Sequence, residues 1–328
     1  MVRDSSIAVL LSTYNGEKYL TEQLESLEAQ RFRAFDLFIR DDGSSDRTRE
    51  YIKQFQARSN LSIVLLESQE NVGAIKSFEL LLRRALEVKQ YDYFMFCDQD
   101  DVWFSNKVEI SFGAIEKLQQ RYGKEQMLLV YTDLEVVDEH LHLLSKSFWR
   151  YFHLDPAKNC CSHIAMQCNV TGCTMIFNRA LATAALPFAA ECTMHDHWIA
   201  LVASSFGVID YVDDATIAYR QHQSNVSGGA PEFNFAYIIT KALKYAKEGE
   251  FHEVLGRQIA QVEALIVRYE PLYTSHCFEV FHAMRQLREV SLFQRIRTIV
   301  QYRLFKHGWV RNVGLLLWLI KMSFGKRS

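Results

Sequence analysis

Short apolar runs bounded by polar turns recur along the first third of the chain: IAVLL (7–11), FDLFI (35–39), SIVLL (62–66) and YFMFC (93–97). Runs of this length, apolar at consecutive positions, predict strands buried on both faces, as in a parallel sheet. Between them the period changes. Within EKYLTEQLESLEAQ, the residues Tyr19, Leu20, Leu24 and Leu27 share one helical face, and DRTREYIKQFQA and AIKSFELLLRRALEV carry helical patterns after the second and third runs. The βαβαβα order predicts a doubly wound, Rossmann-like α/β unit. Such sheets bind ligands beyond the carboxyl ends of their strands, where the loops STYNGE, RDDGSSD, ENVGAIK and CDQDD all fall.

Beyond Gly229 the pattern becomes helical throughout, in FNFAYIITKALKYAKEGEFHEVLGRQIAQVEALIVRYE and CFEVFHAMRQLREV. Two regions are therefore expected: an α/β domain over 1–229 and a helical region over 230–328. The apolar stretch NVGLLLWLI spans nine residues between Arg311 and Lys321, whereas a membrane-crossing helix needs about 20. It predicts an interfacial helix with Trp309 and Trp318 at headgroup depth, the alternative being a helix docked on the protein.

Charge sharpens that division. The net charge is −2, yet no Asp or Glu occurs from Ser291 onward, where eight basic residues lie; positions 1–290 then hold 29 basic against 39 acidic residues, about −10. The basic end suits an anionic surface and the acidic remainder a cationic ligand. With 49% hydrophobic residues, only four prolines and no internal repeat, the chain is expected to be ordered throughout. The first apolar run, five residues long, is too short for a signal peptide, and the expected location is the cytoplasm. Seven cysteines, an odd number without a CxxC pair, predict reduced core thiols rather than disulfides or a zinc site.

Each strand-end loop suggests a task. After Ser12 and Thr13, the turn Asn15-Gly16 leads into a helix whose first N–H groups can meet a nucleotide or phosphate. Asp41 and Asp42 end the second strand and can accept hydrogen bonds from a base or ribose, or stand as solvated turn carboxylates; Asp46 or Ser45 caps the next helix. Asn71 lies in a further turn into a helix, with Lys76 one turn in. In DQDD, the carboxylates Asp98, Asp100 and Asp101 are spaced to hold Mg2+ or Mn2+, hard ions that prefer oxygen and leave positions open for phosphate oxygens.

STYNGEKYL, RDDGSSDRT, ENVGAIKSF and CDQDDVWFSNKV, in this order and spacing, resemble the family 2 glycosyltransferases of GT-A fold. MHDHWIALVASSFG and YRQHQSNVSG resemble their rhamnosyltransferase-type bacterial branch. The resemblance covers about residues 5–228 and implies inverting transfer of a sugar from a nucleotide diphosphate donor to a hydroxyl, assisted by a divalent metal. It places Asp98 near the donor ribose, Asp100 on the metal, His222 as a further ligand, Arg220 near the diphosphate, and Asp196 as the base that takes the acceptor's proton. Thr171 and Gly172 fall near the sugar pocket, and Trp103 and Trp198 are candidates to stack on a sugar. His195 stands where many relatives carry an acid, and His197 is a second departure.

The branch implies dTDP-L-rhamnose as donor, a lipid-linked cell-surface glycan as acceptor, and peripheral work at the inner face of the membrane; a UDP-hexose donor is the alternative. Two other classes compete. A metal-dependent nucleotidyltransferase would more naturally carry a glycine-rich and basic triphosphate loop. A non-catalytic nucleotide-sugar binder would keep the pocket without Asp196.

Overall fold

The computed structural model describes residues 6–66, 68, 70–222, 250–270 and 276–324. Strand β1 (Ile7–Thr13), helix α1 (Leu20–Glu28), β2 (Phe35–Asp41), α2 (Thr48–Arg58), β3 (Ser62–Leu66), α3 (Ala74–Val88) and β4 (Tyr93–Cys97) alternate as the apolar pattern predicts. They form the parallel part of a nine-stranded sheet, in the order β3-β2-β1-β4. Register runs from Ile7 opposite both Phe35 and Tyr93 to Thr13 opposite Asp41 and Leu11 opposite Cys97. The loops after β1, β2 and β4 therefore leave the sheet side by side. β3 departs from the expectation of full burial. It is half-buried because it lies at the sheet edge, paired with β2 alone.

The sheet continues as a mixed one. After β5 (Val102–Trp103) and α4 (Lys107–Tyr122) come β6 (Leu128–Val137), β7 (Leu143–Ser145), α5 (Phe148–Tyr151), α6 (Cys161–Met166), β8 (Ile176–Asn178), α7 (Arg179–Ala185), α8 (His195–Phe206) and β9 (Val208–Arg220). β8 lies antiparallel between β4 and β6, while β9 runs parallel to β6 and antiparallel to β5. Pairing of Val102 with Ala218 brings the end of β9 back to the loop that follows β4.

Side chains alternate across this sheet, as strand geometry requires. Ile7, Val9, Leu11, Met95 and Cys97 pack in one layer with Leu24, Ile52 and Ile115 from α1, α2 and α4. Ala8, Leu10, Phe94 and Phe96 face Phe78, Ile164 and Trp198 from α3, α6 and α8.

The second layer also takes up the carboxyl-terminal helices α9 (Glu250–Tyr269), α10 (His276–Gln286), α11 (Leu292–Gln301) and α12 (Trp309–Phe324). Leu255, Ile259, Val262, Phe281 and Met284 belong to the same apolar cluster as Trp198. Gln258 donates to the Met166 carbonyl at 2.9 Å and the Tyr269 hydroxyl to the Ala184 carbonyl at 2.6 Å, so α9 is tied to the turns after α6 and within α7. The expected boundary near residue 229 lies outside the described residues. On α12, Leu315, Trp318 and Leu319 dock on the core, as the docked alternative expects, while Trp309 and Val313 stay exposed. Trp318 is thus not at headgroup depth. Among the described residues no helix is long and apolar enough to cross a membrane.

Ile259 is fully buried in the shared cluster. Ile259→Ala should lower the stability of the whole chain by about 2–5 kcal/mol in denaturant unfolding, followed by both far-ultraviolet dichroism and tryptophan fluorescence, with the two transitions remaining coincident.

Candidate active site

The acidic loop after β4 meets three later elements. Helix α8 brings Asp196 in its first turn, β9 ends at Arg220 with His222 just beyond, and a 3₁₀ turn over Gly172–Thr174 brings Cys173. Burial pushes the Asp98 carboxyl up to about 7, and the charges of Asp100 and Asp196 push in the same direction. Asp101 is fully buried and raised well above the ordinary range by burial and by Asp100 and Asp98; one oxygen accepts the Arg220 N–H at 3.2 Å and the other has no partner. Carboxylates that raise one another in this way are relieved by a retained proton or by a cation between them.

Two arrangements offer ligands. Asp98, Asp101 and Cys173 have donor atoms within 4.8 Å of one another, while Asp100 Oδ2 lies 2.9 Å from His222 Nε2. The Cys173 thiol is buried, with its pKa pushed well up by burial and by Asp101 and Asp98, so it stays protonated and soft. The carboxylates and the imidazole fit Mg2+ or Mn2+; the thiol does not. Beneath them lies Lys107, fully buried, its ammonium 4.6 Å from the Trp103 ring centroid and without a hydrogen-bond partner. Burial lowers its pKa to about 8, against the pull of Cys173, Cys97 and Asp101.

The loop after β1 is held differently from the expectation. Its backbone N–H groups are not open to phosphate: Tyr14 donates to Gln99 Oε1 (2.8 Å), Asn15 to Ser44 Oγ (2.9 Å), Gly16 to Thr48 Oγ1 (2.8 Å) and Glu17 to Asp46 Oδ2 (3.1 Å). Gln99 also donates to the Tyr14 carbonyl at 2.9 Å, joining the first loop to the acidic one. A Cβ on Gly16 would lie 2.3 Å from Gln99 Oε1, so any larger residue would have to push Gln99 out of its bonds to Tyr14. Asn15, at φ 47°, accepts the Ser45 N–H at 2.9 Å.

Asp41 and Asp42 are both buried and fully engaged. Asp41 accepts from Thr13 Oγ1 (3.2 Å), from Ser44 and from Arg49 Nε (2.6 Å); burial raises its pKa, but the bonds from Ser44 and Arg49 outweigh this and hold it below the usual range. Asp42 accepts the N–H groups of Val72 (2.9 Å) and Gly73 (2.8 Å) and pairs with Arg40. Asp42 fixes the loops after β2 and β3 to each other, and Asp41 ties the second loop to the end of β1 and to α2. Asn71 accepts the Gly73 N–H at 3.2 Å, and the half-exposed Lys76 ammonium lies 2.9 Å from Glu79.

Asp196 is half-buried. Its oxygens accept N–H groups from Gly172 (3.0 Å) and from its own neighbour His197 (2.6 Å). Burial nevertheless prevails and raises its pKa to about 6, the range suited to a general base near neutral pH. His195 and His197 do not form a metal pair. His195 stacks on Phe78 at 4.0 Å between centroids and meets Phe96 edge-on, its pKa lowered to about 3 by burial. His197 reaches the other way, with Nε2 2.7 Å from the Ile164 carbonyl and Nδ1 2.9 Å from Thr193 Oγ1.

Trp103 and Trp198 are core residues, and neither offers a face to a sugar; Trp198 donates to the Ala185 carbonyl at 2.8 Å. Thr171 precedes the 3₁₀ turn and its carbonyl accepts the Thr174 N–H at 2.9 Å. Arg220 is also buried. It donates to the carbonyls of Asp100 (2.8 Å) and Glu139 (2.6 Å), pairs with Glu22 and lies 4.4 Å over the Tyr19 ring, on which His222 packs at 5.0 Å. Its charge supports the acidic loop from beneath. Gln99, Lys107, Glu22 and Tyr19 were not singled out from the sequence as site residues, although Gln99 and Lys107 lie inside CDQDDVWFSNKV and Tyr19 inside STYNGEKYL. A cleft of about 350 Å³ at the opposite end of the strands, lined by Ser6, Phe32, Asp92 and Glu116, lies away from this chemistry.

An open α/β sheet with a DxD-type acidic loop at its strand ends, faced by a carboxylate on a later helix, defines a glycosyltransferase of GT-A fold. The chain belongs to glycosyl transferase family 2, whose model matches residues 8–183. It is 27% identical over 231 residues to the dTDP-rhamnosyl transferase RfbG of Shigella flexneri, covering 69% of this chain and 76% of that one. It is 23% identical to the Escherichia coli UDP-Glc:alpha-D-GlcNAc-diphosphoundecaprenol beta-1,3-glucosyltransferase WfgD, over 68% of this chain and 80% of the other. Among solved structures, the mannosyltransferase PcManGT of Pyrobaculum calidifontis, in complex with GDP-Man and Mn2+, shares the fold at a TM-score of 0.54 and 13% identity, over 99% of this chain and 88% of its own.

Gly172 sits where a Cβ would lie 2.9 Å from His195 Nε2 and 3.4 Å from Asp196 Cβ. Gly172→Ala should force the His195 ring aside and, through the shared first turn of α8, shift Asp196, lowering turnover by about 100-fold while leaving donor affinity within about threefold of wild type, read by steady-state kinetics and by calorimetry of donor binding.

Proposed function

We propose that the enzyme transfers a sugar, with inversion, from a nucleotide diphosphate donor to a hydroxyl of a lipid-linked cell-surface glycan at the inner face of the membrane. The observation that carries this reading is the placement of Asp196. It is a half-buried carboxylate with a raised pKa, within electrostatic reach of Asp98, and it stands outside the pair formed by Asp100 and His222.

Asp98, Asp100 and His222 would hold Mn2+ or Mg2+, which supplies fixed positive charge for the departing nucleoside diphosphate. Asp98 also faces the donor ribose. Thr13, Asn15, Asp41, Asp42, Asn71 and Lys76 belong to the loops that shape the nucleotide side, the first four chiefly by fixing loop positions and Lys76 by its charge. Arg220 acts on the diphosphate through the loop it braces. On the far side, Asp196 accepts the acceptor hydroxyl's proton as oxygen attacks the anomeric carbon, and the N–H groups of Gly172 and His197 hold the carboxylate in place. The donor read from the likeness to the dTDP-rhamnosyl transferase is dTDP-L-rhamnose.

A panel of nucleotide sugars with Mn2+, read by released nucleoside diphosphate, tests the reading. dTDP-L-rhamnose should turn over in preference to UDP-hexoses, and turnover with UDP-sugars alone would reject that donor. Asp100→Asn should abolish Mn2+-dependent donor affinity in calorimetry; unchanged affinity would remove the metal assignment. Asp196→Asn should keep donor affinity and lose at least about 100-fold in turnover. Because the base must be unprotonated, wild-type turnover should climb as pH passes about 6 and level off above it. A flat profile through that range would place the base elsewhere.

A further inference from the structure

The exposed apolar surface of this chain is concentrated rather than scattered. Of the seventeen large hydrophobic side chains exposed among the described residues, nine lie between residues 293 and 320. On α11, Phe293, Ile296 and Val300 share the outward face, while Ile299 and Arg295 turn inward. On α12, Trp309, Val313 and Leu316 are outward, opposite the docked Leu315 and Trp318. Phe293 is 77% and Trp309 67% exposed, which a soluble surface does not need.

Beside this face, where α12 begins, is a cleft of about 550 Å³. Lys158, His163, Arg303 and Lys306 line it, with Asn312 and Trp309, and no carboxylate does. Lys306 is nine-tenths buried and Arg303 exposed. The Lys158 ammonium has the Asp155 carboxylate at 3.9 Å, and His163 Nδ1 lies 3.0 Å from Cys160 Sγ. The cleft is built, not incidental. Asn312 accepts the Lys306 N–H at 2.9 Å and donates to the carbonyls of Lys306 (2.7 Å) and Gly308 (2.8 Å), while Arg311 donates to the carbonyls of His307 (3.2 Å) and Phe152 (2.9 Å). Gly308, at φ +72°, makes the turn into α12, whose first N–H groups add positive potential.

We propose that this cleft is a phosphate-recognising site that seats the headgroup of an anionic phospholipid while the outward face of α11 and α12 enters the bilayer interface. Cations set beside an apolar, tryptophan-bearing face match a lipid's phosphate and acyl chains in the order in which a bilayer presents them. A second copy of the chain is a poorer occupant. A two-fold contact on this face would bring Arg297 and Arg303 against a surface of the same sign, since residues 291–328 contain no acid to answer them. The inference deepens the membrane contact included in the proposed function.

Flotation of the full-length protein tests it, with vesicles of phosphatidylcholine alone and of phosphatidylcholine mixed with phosphatidylglycerol. Binding should require the acidic lipid and weaken with salt. Lys158→Glu combined with Arg303→Glu should weaken it at least about tenfold, and Trp309→Ser should weaken it with an unchanged circular dichroism spectrum. No binding by wild type, or undiminished binding by the double variant, overturns the proposal. So does saturation by inorganic phosphate that leaves vesicle binding untouched, or a dimer in sedimentation that Trp309→Ser disperses. Release of nucleoside diphosphate with a soluble acceptor, measured on the same preparations, should be equal in wild type and variants. If wild type releases none, the transferase reading fails, and the flotation result still decides the lipid site.

Discussion

The mutual repulsion of carboxylates at the carboxyl end of the sheet is the constraint around which this molecule is arranged. Asp98, Asp100, Asp101 and Asp196 come from one loop and a helix, and burial makes the charges of Asp98, Asp101 and Asp196 costlier than in water. The chain answers with fixed dipoles and two buried cations: Lys107 beneath the cluster and Arg220 across its backbone. These offset part of the repulsion and leave the rest uncompensated. The fold thus keeps a site that is incompletely neutral by itself, the condition that the proposed metal-assisted departure of a diphosphate would use.

The parallel half of the fold was legible because β1, β2 and β4 are buried on both faces and so write apolar runs into the sequence. β3 was legible as a strand but not as an edge, since edge position depends on what fails to pair with it. The acidic motif, Asp196 and the YRQH segment were legible through their resemblance to a family pattern. Their partners were not. Gln99 meets Tyr14 across 85 positions and Arg220 meets Asp100 across 120, and no local period encodes such distances. The same limit explains Trp103 and Trp198. An aromatic beside a catalytic motif reads identically whether it faces a sugar or the core, and only the packing of α4 and α8 decides.

The carboxyl-terminal helices show how composition can be right about a segment and mistaken about a residue. The basic excess after Ser291 is real, yet Arg295 is turned inward onto the carbonyls of Leu287 (2.8 Å) and Arg288 (3.4 Å), and Lys306 is nine-tenths buried. Formal charge counts these with Arg297 and Arg303. Packing separates structural cations from those that reach a surface. Likewise Trp309 and Trp318 occupy one helix and opposite environments, because nine residues of helix make two and a half turns.

The pairing of β9 with β5 has a consequence for the order in which the enzyme becomes an enzyme. Residues 98–101 leave the ribosome long before Arg220 and His222, so the nascent chain carries its acidic loop with neither the Arg220 guanidinium nor the His222 imidazole beside it. β1 through β4 can lay down their parallel hydrogen bonds in that interval, but the acidic loop gains its brace and its imidazole only when the thirteenth residue of β9 arrives at the end of the strand. Synthesis therefore leaves the acidic loop without its brace and its imidazole for over a hundred residues of elongation.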